Sequence, residues 1–217
     1  MRQFAFEGYS YPLIPMFSPC GRWLYAHGGW GVVAWDLSGA SAEPAWTDLE
    51  GCGLTFRVVV SPCGRYLAGA EDRCVIVWEV PSAKPEGFTT TRDKEARWIR
   101  ANPDGDQIAD VAFSPSGTDL LTACIEGAAG VQRWRTGSWR RKPAFGTRSH
   151  CDGALAVSPD GRTVATAVRD GKGTDAVRLK LWNYPRGTHR KTAPRATGSI
   201  IRLAYSPDGA LIASNDD

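Results

Sequence analysis

The feature that most constrains this chain is a four-residue phrase that recurs five times: Ser18-Pro19-Cys20-Gly21, Ser61-Pro62-Cys63-Gly64, Ser114-Pro115-Ser116-Gly117, Ser158-Pro159-Asp160-Gly161 and Ser206-Pro207-Asp208-Gly209. Successive serines are 43, 53, 44 and 48 residues apart. Ser, then Pro, with Gly in fourth place, suits a type I turn: proline presets φ and the serine hydroxyl can bond the turn. Short apolar runs flank every copy, such as Asp110-Val111-Ala112-Phe113 before and Leu120-Leu121-Thr122-Ala123 after. Short apolar runs joined by a tight turn predict hairpins. In four of the five units a third run ends at a tryptophan: Trp35, Trp78, Trp134 and Trp182. The distance from turn glycine to tryptophan is 14, 14, 17 and 21 residues, so the last two units need longer loops. A more polar fourth strand then fills the gap before the next unit.

A fixed period of this length marks a repeat architecture. Strand, Ser-Pro-x-Gly, strand, hairpin and a strand closing on Trp35-Asp36 or Trp78-Glu79 resembles the WD-repeat family over about residues 11–217. The resemblance implies an all-β fold, a β-propeller of four-stranded antiparallel blades around a central channel. The expected blades are residues 11–50, 51–92, 108–148 and 150–195, with a partial fifth over 198–217 and an insertion over about 81–110. That makes four complete units and half of a fifth. The fifth lacks its third strand and tryptophan, so the ring is expected to need missing blades or a second copy to complete it, because repeat arrays need capped ends. The resemblance also implies a hydrogen-bonded set of His, Ser or Thr, Asp and Trp inside each blade. Asp72 has the expected spacing to Trp78 and His150 the expected place in the fourth unit, but no unit holds the whole set. The four tryptophans and Asp72 are therefore structural signatures, with the tryptophans packed between blades.

Motifs for nucleophilic, phosphate-binding and metalloprotease chemistry are absent, and three histidines with no close cysteine pair argue against zinc. The six cysteines include no C-x-x-C pair, and Cys20 and Cys63 fall in turns of different units, so they are expected to be free thiols. No catalytic residue, metal or cofactor is expected. The WD-repeat resemblance implies a scaffold that binds an unidentified protein partner through its loops, an inference from fold alone. The alternatives are a channel-site enzyme, a small-ligand-binding propeller, or polyanion binding.

Two features go beyond the scaffold. Trp98, flanked by Arg97 and Arg100 within the expected insertion, has the composition of an interface anchor. The other is charge: residues 1–108 carry 10 Lys/Arg and 13 Asp/Glu, whereas 109–217 carry 16 and 10. Arg140, Arg141 and Lys142 centre a basic run in which Trp139 and Phe145 interleave, a pattern that can hold a polyanion. A sequence pI near 8.6 makes nucleic acid a poor expectation, and charges on an outer strand also discourage sheet-to-sheet pairing. The N-terminal residues do not read as a signal peptide, and no apolar run is long enough to span a membrane, so the expected location is cytoplasmic.

Overall fold

A computed structural model describes residues 14–28, 31–39, 41, 43–48, 57–71, 73–80, 96–100, 107–124, 130–146, 151–169, 177–196 and 200–216. Among them the chain is all-β and antiparallel. The first sheet is β1 (Ile14–Phe17), β2 (Trp23–Gly28), β3 (Gly31–Asp36) and β4 (Trp46–Asp48), in that order. The second is β5 (Val58–Val60), β6 (Tyr66–Glu71), β7 (Cys74–Glu79) and β8 (Ala96–Arg100). The third is β9 (Ile108–Phe113), β10 (Asp119–Cys124), β11 (Val131–Arg135) and β12 (Arg140–Phe145). The fourth is β13 (Cys151–Val157), β14 (Thr163–Arg169), β15 (Val177–Asn183) and β16 (Thr188–Ala196). The pair β17 (Ile200–Tyr205) and β18 (Ile212–Asp216) forms a fifth, two-stranded sheet.

The turn phrase explains why the first two strands of each sheet pair as they do. In all five copies the glycine N–H donates to the serine carbonyl at 2.8–2.9 Å, and the glycine takes a left-handed φ between 64° and 73°. Only glycine adopts that conformation without steric cost. The serine Oγ accepts the backbone N–H five residues on, from Trp23, Tyr66, Asp119, Thr163 and Leu211, at 2.9–3.0 Å. The turns also stand side by side. A Cβ on Gly64, Gly117, Gly161 or Gly209 would lie 3.6–3.9 Å from the proline of the preceding turn.

Strand residues alternate between neighbouring sheets, as a period of two demands. In β6, Leu67 packs towards the first sheet with Trp23, Tyr25 and Trp78, while Ala68 and Ala70 pack towards Ile108, Val111 and Trp134 of the third. Leu121, Val131 and Phe145 meet Leu155, Val164 and Trp182 between the third and fourth sheets. Ala154, Ala165 and Val177 meet Ile200 and Leu203 between the fourth and fifth. Trp35, Trp78, Trp134 and Trp182 are 3%, 1%, 5% and 4% exposed, each at or next to the last two residues of a third strand. The first strands adjoin one another as well: β9 packs against β5 and β13, and β13 against β17.

Arg97, Trp98 and Arg100, expected within an insertion, lie on β8, where Trp98 pairs with Ile76 and Arg97 with Val77. The four residues of β8's partner strand that precede the unit's tryptophan thus receive a regular fourth strand. Residues 81–95 and 101–106 of the expected insertion, and Asp72 and His150, fall outside the described residues, while its last residues, from Ile108, open β9. Within the described residues, no helix is long and apolar enough to cross a membrane.

Candidate functional site

Arg57, Asp110 and Arg202 share one register position: each stands four residues before the serine of a Ser-Pro-x-Gly turn. Equivalent positions on adjoining first strands lie at one height, so these three charges gather at the end of the sheets opposite the turns. His27, near the end of β2 and paired with Ile14, lies at that same end.

Asp110 is the organiser. Its side chain is 3% exposed, and both carboxylate oxygens accept from Arg57 Nη1, at 2.8 and 3.0 Å. Its own strand supplies the Val111 N–H at 2.8 Å, and the fourth sheet supplies the Leu155 N–H at 2.9 Å. One carboxylate therefore ties the second, third and fourth sheets together. Burial pushes the Asp110 carboxyl up to about 6, against the pull of Arg57 and the two backbone donors, so it is ionised at neutral pH. Its lone pairs are committed to these four bonds, which makes it a structural group.

His27 is only 2% exposed, and its Nδ1 has no hydrogen-bond partner among the described residues. Burial, then the positive charges of Arg202 and Arg57, push its imidazole down to about 4. At neutral pH this is an uncharged ring beside two guanidiniums. Arg57 is matched by Asp110, whereas Arg202 makes no ion pair among the described residues. Among the described residues the local balance is one uncompensated positive charge, with a buried ring nitrogen that lacks a partner. A buried polar atom of that kind calls for a ligand or an ordered water. No group of three or more His, Cys, Asp or Glu side chains able to hold a metal occurs among the described residues.

The basic run is built differently from a free cationic stripe. Arg140 and Arg141 are exposed on β12, but Lys142 is paired with buried Asp119, which also accepts from the Tyr184 hydroxyl. Arg133 donates to the carbonyls of Pro143 and Pro185, and Arg190 to Thr163 Oγ1. Trp139 and Phe145, which interleave the run in sequence, are each 9% exposed and belong to the cores between sheets. They offer no free ring for a base to stack on.

The internal hydrogen-bonded set of the repeat survives in part. Trp182 Nε1 donates to buried Thr166 Oγ1 at 2.9 Å. The same register brings Thr122 near Trp134, yet Thr122 Oγ1 and Trp134 Nε1 make no hydrogen bond among the described residues. The acid after the tryptophan has another task in the first two units: Asp36 pairs with Arg22 at 2.9 Å and Glu79 with Arg65 at 2.6 Å. The Arg22 guanidinium holds the Asp36 carboxyl well below the usual range.

Comparison with known proteins agrees with this architecture. Residues 51–79 match the family model described as WD domain, G-beta repeat. Over 101 residues, 46% of this chain and 10% of the relative, the sequence is 32% identical to a Periodic tryptophan protein 2 homolog of Dictyostelium discoideum. In three dimensions the chain is similar to a chain of Kuenenia stuttgartiensis Hydrazine Synthase, with a TM-score of 0.71 and 20% identity, over 97% of this chain and 58% of that one. The chain thus spans a tenth of the length of the first relative and less than two thirds of the second. The last likeness overturns the expectation of a non-catalytic, protein-binding scaffold. That expectation passed from fold to function, and nearly the whole fold recurs within an enzyme, so the fold carries no presumption against catalysis. The five turns, the buried tryptophans, the matched repeat and the all-β fold identify the chain as a WD-repeat, β-propeller-like domain.

Proposed function

We propose that this domain is a propeller that binds a small anionic ligand at its axis. In this reading the blades are residues 11–50, 51–92, 108–148, 150–195 and 198–217, and their first strands surround a channel. The contacts from β5 through β9 and β13 to β17 support that arrangement, as does the influence of Arg202 of the fifth sheet on His27 of the first. The packing of Trp78, Trp134 and Trp182 between successive sheets points the same way, and Trp35 is buried with Ala26 and Val33 on the corresponding face of the first sheet.

The observation that carries the function is the buried imidazole of His27 within electrostatic reach of two guanidiniums, one of them without a carboxylate partner among the described residues. Low-dielectric walls strengthen such a field and concentrate small anions. Arg202 supplies the charge, Asp110 holds Arg57 in place, and the His27 ring offers a hydrogen-bonding nitrogen.

Thermal unfolding against a panel of small anions (inorganic phosphate, sulfate, citrate) tests this. At about 100 times Kd a ligand stabilises by ~2.7 kcal/mol. For a domain of this size that is a rise in Tm of roughly 5–10 °C. At least one anion is expected to raise the Tm of the wild type, and Arg202→Ala, an exposed position with little stability at stake, is expected to abolish the rise. No response to any anion, or an undiminished response in the variant, contradicts the proposal.

A further inference from the structure

The five turns are alike in backbone but not in the residue at their third position, and the difference has chemical consequences. In the fourth and fifth turns that residue is Asp160 or Asp208. Its carboxylate accepts from the turn serine at 2.6 Å and from the backbone N–H two residues on, of Arg162 or Ala210, at 2.9 and 3.0 Å. Both carboxyls are held below their usual range by those donors, the serine first. The turn therefore presents two hydrogen-bond donors to its third side chain, an arrangement that favours an anion there.

In the first and second turns the same position holds a cysteine. Cys20 Sγ lies 3.3 Å from Ser18 Oγ, and Cys63 Sγ lies 3.4 Å from Ser61 Oγ. The serine Oγ accepts Trp23 N–H or Tyr66 N–H, and once the sulfur is ionised the serine hydroxyl can only donate to it, as it does to the aspartates. The serine hydroxyl first, and after it the backbone N–H of Arg22 or Arg65, draw the two thiols below their usual range. Both thiols are exposed, and the two turns adjoin, with Pro19 against Gly64. The nearby charges are Arg22, paired with Asp36, and Arg65, paired with Glu79; the Tyr25 hydroxyl also lies within electrostatic reach of Cys20.

We propose that Cys20 and Cys63 form a thiol-modification site on the turn face, reacting as thiolates with small disulfides. The thiolate sulfur attacks one sulfur of the disulfide, the S–S bond breaks, a mixed disulfide forms, and the other half departs as a thiolate. The thiol gives up its proton to solvent before the attack, and the turn's donors raise the fraction present as thiolate. The serine hydrogen bond compensates for the sulfur's charge, as it does for the carboxylates of the sister turns. Turn face and axial site are at opposite ends of the sheets, so this inference stands apart from the proposed function.

The test is the rate of reaction with an aromatic disulfide at pH 7, resolved cysteine by cysteine through peptide mass spectrometry. Rates are compared for the folded chain and for the chain unfolded in urea, with a model thiol in the same urea as reference. Folding ordinarily protects thiols. Here Cys20 and Cys63 are expected to react at least about threefold faster in the folded chain, as thiolate stabilisation requires. Ser18→Ala is expected to slow Cys20 by a similar factor and leave Cys63 unchanged, and Ser61→Ala to do the converse; the untouched cysteine reports that the fold persists. Folded rates at or below the unfolded ones, or a Cys20 rate indifferent to Ser18→Ala, overturn the proposal.

Discussion

Replacing Trp78 with alanine is expected to lower the stability of the domain by about 3–5 kcal/mol, the range for deleting a large aromatic from a packed core. Its side chain is 1% exposed and closes the core between the first and second sheets, among Trp23, Tyr25, Val58 and Leu67. Trp23, Tyr25 and Leu67 belong to strands hydrogen-bonded on both sides, so they cannot collapse into the space left behind. The loss reaches beyond one sheet, because the same cluster joins two sheets whose other faces belong to different cores. Urea unfolding of wild type and variant measures it. A loss under about 1 kcal/mol, the scale of a surface substitution, would mean that Trp78 does not sit between sheets.

An Asp110→Asn variant is expected to lose about 3–4 kcal/mol, by the rule that breaking a buried ion pair leaves an uncompensated charge. The amide matches the carboxylate in volume, so packing is retained and the electrostatic contribution is isolated. Its NH2 group would face Arg57 Nη1 or one of the two backbone N–H donors, leaving at least one donor without an acceptor. Converting Arg57 to methionine in the same chain should recover part of the loss, since the stranded guanidinium is then gone, while one of the Val111 and Leu155 N–H groups stays unsatisfied. Full additivity of the two changes in urea unfolding would show that Arg57 and Asp110 are not coupled.

The strand and turn pattern was legible because it is local. Each Ser-Pro-x-Gly phrase carries its own mechanism, and the runs on either side became β1 and β2, β5 and β6, and their counterparts. Trp35, Trp78, Trp134 and Trp182 could be placed by counting from the turn. The charged group was harder to find, because His27, Arg57, Asp110 and Arg202 come from four sheets and share no motif. A signal existed all the same: a charged residue four places before the turn serine in three of five units, within otherwise apolar strands. Comparing units position by position, instead of searching for motifs, exposes it. Function was misjudged for a different reason. An empty motif search counts as evidence against catalysis only when a site is built from neighbours in sequence, and a propeller builds its sites from residues far apart. Lys142 shows a similar limit: sequence records its charge but not that buried Asp119 consumes it.

The measurement that bears most directly on the axial site is nitrogen-15 NMR of the His27 ring, assigned by its loss in His27→Gln and followed from pH 7 to pH 5, with and without the anion that most raises the Tm. An ordinary histidine titrates near 6.5 and would be mostly protonated at pH 5.5. Burial and two guanidiniums hold this ring down to about 4, so its nitrogens should remain those of a neutral imidazole at pH 5.5. Adding the anion at pH 7 should shift the Nδ1 resonance saturably. A ring that protonates near 6.5, with no response to any anion, would contradict the account.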